Sequence, residues 1–468
     1  MNSKNLLTDM PIGKALFILS LPIVISNLLQ TAYQLTDAYW IGHLGADAVA
    51  TVTVAGMVIF LTISLGSGLS IAGSILIAQY FGAKKWQKVN HIARQTLLMI
   101  IFTSIFLGVI GFIFAKQIVL IIGVDENILS QTVSFVRINF IGLIFSFSFF
   151  MFQSIMRGIG RPNIPIFIVG FTLIINFLLN PFLIWTLKFG VIGSAITTLI
   201  SQSIATIIGF LILFSGKYGI KLSFKDFIPD KKAIKTSFLL GYPSSIEMIA
   251  RSLGILIVTG IVALFGTKAI AGFGAAGNVL QVVIIFAMGL SMATSILVGQ
   301  NIGAGNIKKA KKVNFISALV SFGLMTSLGI ISFIFAPNIV KFFIPNDNEV
   351  VLIGSEIIRI SSLFFGLIGV QMSFTGVLRA IGKTKIPMIT TILSQWILKL
   401  PIAYLLSHYT FLKLSGVWWS DPIVSIIMTI IVFIIMLKID WSKSNMTKDE
   451  KLEKDVIEGI MIEEPAKG

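Results

Sequence analysis

Residues 22–37 read Pro-Ile-Val-Ile-Ser-Asn-Leu-Leu-Gln-Thr-Ala-Tyr-Gln-Leu-Thr-Asp, and their reading decides the fold. The stretch lies inside a mostly apolar run from Ala15 to Trp40, long enough to cross a bilayer as a helix. At 3.6 residues per turn, Ser26, Gln30, Tyr33 and Asp37 fall on one narrow face, flanked by Asn27 and Gln34. A spanning helix therefore carries a polar stripe that ends in a carboxyl group. An ionisable side chain inside a membrane is expensive and marks an ion or substrate pathway. Asp37 lies about 22 Å along the helix from Pro22, in the outer half of the span. Simple solvation at the outer interface would account for Asp37, but not for the stripe that continues inward for three turns.

The composition agrees. Of 468 residues, 56% are hydrophobic and only 12% charged, against about 25% in soluble chains, and the mean hydropathy is +0.95. The chain reads as an all-α integral membrane protein. Cysteine is absent, which excludes a disulfide framework, a thiolate zinc site and thiol redox chemistry. The first apolar run follows Lys4 and Lys14 as a signal peptide would, but it is too long, lacks a cleavage pattern and has a counterpart later in the chain.

Apolar runs of spanning length lie near 14–40, 48–79, 92–115, 131–156, 163–186, 190–215, 234–264, 269–300, 313–336, 354–378, 386–407 and 416–438. They predict twelve transmembrane helices with both termini on one side, the second and eighth exceeding bilayer thickness. Loops on the terminal side hold 27 Lys and Arg, the opposite loops 5. That asymmetry predicts cytoplasmic termini in a plasma membrane protein. It also explains the net charge of +16 without a nucleic-acid partner.

The chain repeats itself. At a shift of 221 residues Pro22 meets Pro243, Gly45 meets Gly266, and Gln79-x-x-Gly82-Ala83 meets Gln300-x-x-Gly303-Ala304. Ten of the 16 positions from Gly68 to Ala83 are identical in the second copy. At a shift of 222, Arg157-x-Ile159-Gly160 meets Arg379-x-Ile381-Gly382. Two pseudo-symmetric six-helix bundles in parallel orientation follow, a usual build for alternating access. The expected division is an N-terminal lobe at 1–216, a cytoplasmic linker at 217–235, a C-terminal lobe at 236–440 and a charged tail at 441–468.

Differences between the copies point to chemistry. Asp37 faces Val258, so the fold itself does not require the carboxylate. Asn176 and Asn180, one turn apart before Pro181, face Trp396 and Leu400 when aligned on Pro401. Thr198 and Gln153 add further polar atoms, and for all four spacing alone weighs interhelical hydrogen bonding and a functional site equally. Gln30, Gln34, Glu247, Arg251 and Lys399 are candidates for a substrate cavity. Glu247 and Arg251, four apart, also read as an intrahelical ion pair, as do Glu356 and Arg359. Lys399 has no evident partner in the sequence. Aromatic and Met side chains at Phe145, Phe147, Phe149, Phe150 and Met151 offer an apolar wall, or simply pack helices.

The pattern Leu21-Pro22…Tyr33-x-x-x-Asp37…Gly42-x-Leu44-Gly45, with the doubled glutamine–glycine motif, Arg157-x-x-Gly160 and Val298-Gly299-Gln300-Asn301-x-Gly303-Ala304-Gly305-Asn306, resembles the multidrug and toxic compound extrusion family. The resemblance covers about residues 10–440 and is nearest the DinF-like branch. It implies two six-helix lobes in a V, a cavity between them, and export of organic cations driven by inward H⁺ or Na⁺, without enzymatic activity or cofactor. It implies a coupling pocket of Tyr33, Asp37, Gln153, Asn176, Asn180 and Thr198, and a helix-one bend at Pro22. Asn180 departs from the branch, which typically has a second aspartate there. Asp37 is then the pocket's one acid, to be neutralised by one proton or one Na⁺; no other metal is expected. Partners are a small organic cation and membrane lipid, with the protein a monomer. The nearest alternative is a flippase of lipid-linked sugars, which Lys399 keeps open. An integral-membrane transferase would need clustered Asp or His, and the three histidines, His43, His91 and His408, are scattered.

Overall fold

The computed structural model describes residues 7–223, 228–441 and 444–447. Most of the charged tail, part of the linker, and Lys4 and Lys225 of the basic count lie outside those residues.

Among the described residues the chain is helical throughout: α1 (Ile12–Gly42), α2 (Ala46–Gly82), α3 (Trp86–Ile121), α4 (Glu126–Gly158), α5 (Asn163–Pro181), α6 (Val191–Ser215), α7 (Lys231–Ala263), α8 (Thr267–Gly303), α9 (Ile307–Phe343), α10 (Asn348–Ser362), α11 (Phe365–Ala380), α12 (Lys385–Ile392), α13 (Leu400–Tyr409) and α14 (Leu414–Lys438). A π-helical turn, Phe182–Thr186, extends α5, and another, Leu393–Lys399, joins α12 to α13. Among the described residues eleven helices are long and apolar enough to cross a membrane, and α10 with α11 pass the same test together as a pair bent by 54°. The tenth run, expected as one helix, is thus two. The break falls where the Ser362 carbonyl presses against Gly329 of α9, a contact with no signature in local sequence. α3 and α9, at 36 and 37 residues, are as long as α2 and α8. Their first turns run on through polar residues that a hydropathy reading discounts.

The sequence repeat is a repeat of backbone. Gly45 and Gly266 precede α2 and α8 with φ of 105° and 99°, a region that a Cβ makes costly. Each of those helices is 37 residues long and ends on an Ala whose N–H bonds the carbonyl of the motif glutamine, Gln79 or Gln300.

Packing divides the described chain into two compact units, residues 25–245 and residues up to 24 together with 246 onward. This differs from the chain-order division read at 216 and 236. The limits fall inside α1 and α7, just after Pro22 and Pro243, where a proline lacks the N–H that would continue the ladder. Each unit contains the equivalent close crossing. In the first, Ser245 donates to the Leu65 carbonyl at 2.7 Å and packs on Gly68. In the second, Val24 packs on Gly289, the same positions at the 221-residue shift. Leu16, Leu19 and Ile23 of α1 then join Leu297, Val377 and Val432 in one buried core.

The start of α7 is tied into residues 25–245 by polar contacts. Gln95, fully buried, donates to the Ile228 carbonyl at 2.8 Å and accepts from the Asp230 N–H at 2.9 Å. The Asp230 carboxylate caps α7, accepting from the backbone N–H groups of Lys232 and Ala233, and meets His91 at 2.9 Å. Burial alone would raise this carboxyl, but the His91 contact and the two N–H bonds outweigh it and hold it below its ordinary value.

Two outcomes follow. A Cβ at Gly376 would collide with the Ser291 backbone carbonyl, so Gly376→Val should cost about 2–3 kcal/mol, seen as a lower melting temperature of the detergent-solubilised protein. Asp230→Ala should cost about 1 kcal/mol near neutral pH through the lost cap. A depressed folded-state carboxyl stabilises above the unfolded value and loses that contribution as pH falls through its folded value. The difference between wild type and Asp230→Ala should therefore shrink below about pH 4, as thermal unfolding across a pH series would show.

Candidate functional site

The polar stripe on α1 meets polar positions of α5 and α6. Asn180 Nδ2 donates to Asp37 Oδ1 at 2.9 Å, and Thr198 Oγ1 donates to Asp37 Oδ2 at 3.0 Å. Asn176 Nδ2 donates to Thr198 Oγ1 at 3.4 Å, and the Asn176 carbonyl and Oδ1 both lie 3.1 Å from Asn180 Nδ2. Asn176 and Asn180 are completely buried. Three acceptors around Asn180 Nδ2 fix the orientation of that amide, since an oxygen there would face three oxygens. Ser194 also faces the Asp37 carboxyl.

Local sequence explains this placement. A four-residue step puts Asn176 and Asn180 on one face of α5. Pro181 cannot continue the α-helical ladder, and the chain passes into the π-helical turn, closed by the Leu187 N–H on the Phe182 carbonyl at 3.0 Å. π-Helical turns inside helices concentrate at functional sites. The turn also delivers Trp185 to an aromatic group one turn beyond Asp37, where the Trp40 ring lies 5.3 Å from Phe177 and 5.5 Å from Trp185. Tyr39 and His43 complete the group.

The site keeps unused capacity. Asn180 Oδ1 is buried without a hydrogen-bond partner, and the buried Tyr33 hydroxyl faces the Thr172 and Ser201 hydroxyls. No Lys, Arg or His lies within ion-pair distance of Asp37 among the described residues. A carboxylate met only by neutral donors, beside an unfilled oxygen, can accept a proton or a small monovalent cation.

The other sequence candidates sort differently. Tyr33 is buried on the Asp37 face, whereas Gln153 bonds Arg157 Nη1 through Oε1 at 3.5 Å and makes no hydrogen bond to the Asp37 group. Gln30 is partly buried and Gln34 exposed. Glu247 does meet Arg251, at 3.6 Å, but its nearer partner is Arg379 of α11 at 2.8 Å. The expected helical pair is one side of a three-residue cluster. Lys399, expected to stand alone, pairs with Asp421 of α14 at 2.6 Å. Glu356 and Arg359 are not paired: Glu356 accepts from Ser415 at 2.6 Å, and Arg359 stacks over Phe333. Phe147, Phe149 and Met151 are buried in helix packing rather than lining a wall. Pro22 lies within an unbroken α1. Sequence reasoning missed Ser194, Ser201, Thr172, Trp40 and Trp185. The step of four joining Ser194 to Thr198, and Ser201 three further on, was available as a signal.

The MatE family model matches residues 22–182 and 243–405, both halves of the repeat. The chain belongs to the MatE family. It is therefore a multi-pass membrane transporter and not an enzyme. It is 30% identical over 447 residues to the probable multidrug resistance protein YoeA of Bacillus subtilis (strain 168), covering 93% of this chain and 96% of that one. It is 26% identical to the multidrug export protein MepA of Staphylococcus haemolyticus (strain JCSC1435), covering 94% and 96%. Among solved structures, a MATE protein in complex with MaL6 superposes with a TM-score of 0.87 at 24% identity, over 93% of this chain and 97% of that one.

The Glu247 cluster yields a direct test. Glu247→Gln leaves two guanidinium groups without a carboxylate and should cost about 3–5 kcal/mol. Arg251→Gln leaves the Glu247–Arg379 pair intact and should cost under about 1 kcal/mol, as for a more exposed pair. Thermal unfolding of the two purified variants checks the order.

Proposed function

We propose that this MatE-family transporter exports lipophilic organic cations, drugs among them, in exchange for H⁺ or Na⁺ taken up at Asp37. It acts as a monomer in the plasma membrane with both termini in the cytoplasm, and alternates access between two six-helix lobes. The observation that carries this reading is the Asp37 carboxylate, held at 2.9–3.0 Å by Asn180 and Thr198 with no cationic side chain as partner. The 27-to-5 bias of basic residues supports the orientation, and the names of YoeA and MepA support the substrate class.

Asn180 gives the exchange a physical step. Its amide now donates to the carboxylate, and its Oδ1 is unpartnered. A protonated Asp37 must donate, and a Na⁺ beside Asp37 must be met by oxygens. In either case turning the amide presents Oδ1 and withdraws Nδ2 from its present acceptors. Loading thereby exchanges the Asn180–Asp37 bond for one of opposite polarity and gives up the Asn180 contacts to Asn176, which biases α1 toward a second packing, with Pro22 as the bend. Two packings that differ in cation affinity are what coupled transport requires.

The flippase alternative leaned on a free Lys399, and its pairing with Asp421 removes that support. The test is efflux of a fluorescent lipophilic cation in proteoliposomes under a proton or a sodium gradient imposed separately. Wild type should accumulate the probe under one of them, and Asp37→Asn should retain only downhill leak. Undiminished gradient-driven accumulation by Asp37→Asn would overturn the proposal.

A further inference from the structure

Arg157 and Arg379 occupy equivalent places in the two copies, each in the last turn of its helix, α4 or α11. Their electrostatic situations differ. Arg379 has Glu247 at 2.8 Å. Arg157, only partly exposed, has no carboxylate within ion-pair distance among the described residues. Its one hydrogen bond is a long one, 3.5 Å to the Oε1 of Gln153. The register explains the lack: at the 221-residue shift the position of Glu247 falls on Ser26, and that of Arg251 on Gln30. Position at a helix C-terminus does not replace a partner, since Arg379 has the same position and still takes a carboxylate.

The second observation lies beside the first. Gln153 is 4% exposed, and its Nε2 is buried without any acceptor. A guanidinium with most of its donors unused thus adjoins an amide N–H₂ with no partner. The amide N–H₂ is costly to leave without an acceptor in a low-dielectric interior, and the guanidinium beside it has only one long bond.

We propose that Arg157 and Gln153 form an anion-binding subsite that takes the carboxylate or phosphate of an amphiphilic ligand. This rests on the export reading and deepens it: the transporter's substrates include zwitterions, whose anionic group the subsite receives. Guanidinium suits either oxyanion through paired N–H donors. The unit of residues 25–245 then completes with a ligand what the other unit completes internally with Glu247.

The test uses the purified full-length protein in nanodiscs and a matched pair of probes, a rhodamine with a free carboxylate and its methyl ester. If wild type binds neither probe, the export reading fails and this inference with it. If the ester binds, the subsite is tested by itself. Arg157→Gln should weaken the free acid about tenfold or more and leave the ester within about twofold, and Arg157→Lys should recover part of the loss. Ser26→Glu, which supplies the other copy's carboxylate, should likewise weaken the acid selectively. A purely structural role for Arg157 would weaken both probes alike, and equal losses would overturn the proposal, as would unchanged acid affinity in Arg157→Gln. Repeating the titration with phosphatidylglycerol in place of phosphatidylcholine identifies the source of the anion. Competition against the acid that requires Arg157 would name a lipid phosphate as an occupant, and no competition would leave the soluble zwitterion as the ligand.

Discussion

An ionised side chain inside a membrane must have its charge met by an opposite charge or by aligned donors, because lipid supplies neither. Three groups of charged side chains in this chain meet that constraint in different ways. Lys399 and Asp421 pair between helices at 2.6 Å. Glu247 is shared by Arg379 and Arg251. Asp37 has no ion pair and is held by an amide and a hydroxyl. Only the third arrangement leaves a charge that a mobile cation can neutralise. That separates the Asp37 group, proposed here to take the coupling cation, from a structural ion pair of the same residue types.

The rest of the fold keeps those charges in register. Helices approach closely where glycine removes a side chain, at Gly68 against Ser245 and at Gly289 against Val24. Without hydrophobic drive between helices in lipid, such contacts and interhelical hydrogen bonds carry much of the association. Pro22 and Pro243 mark where α1 and α7 pass from one packing unit to the other. Asp37 therefore sits on a helix whose first half belongs to a different core from its second. A change in the hydrogen bonds around Asp37 acts on an element that both units share.

What was legible in the sequence was whatever helical periodicity encodes. The stripe ending at Asp37, the Asn176–Asn180 step and the doubled motifs are local or repetitive, and spacing alone aligned them. Partners across helices were not legible. Nothing near Lys399 announces Asp421, and the Glu247–Arg251 spacing concealed the nearer Arg379, because tertiary packing selects among residues that each helix face offers equally. Glu356 and Arg359 had permissible spacing but found Ser415 and Phe333 instead. The bend in the tenth run escaped for the same reason, since it falls where the Ser362 carbonyl meets Gly329 on another helix.

Duplication sharpens the functional argument. Two copies that must form the same crossings keep the same glycines, prolines and glutamines, and the backbone repeats in detail, down to the positive φ of Gly45 and Gly266. A residue that breaks the repeat is not required by the shared fold. Val258, the counterpart of Asp37, is 2% exposed and packs in an apolar core, so the same helical position is satisfied there by hydrophobic burial alone. In residues 25–245 that position carries a carboxylate, with Asn176, Asn180 and Thr198 gathered to meet it. Stability would favour the valine in both copies, because an apolar side chain at that depth incurs no desolvation penalty. Keeping a carboxylate in one copy is therefore a cost that packing does not repay, and the proposed binding of a coupling cation is what would.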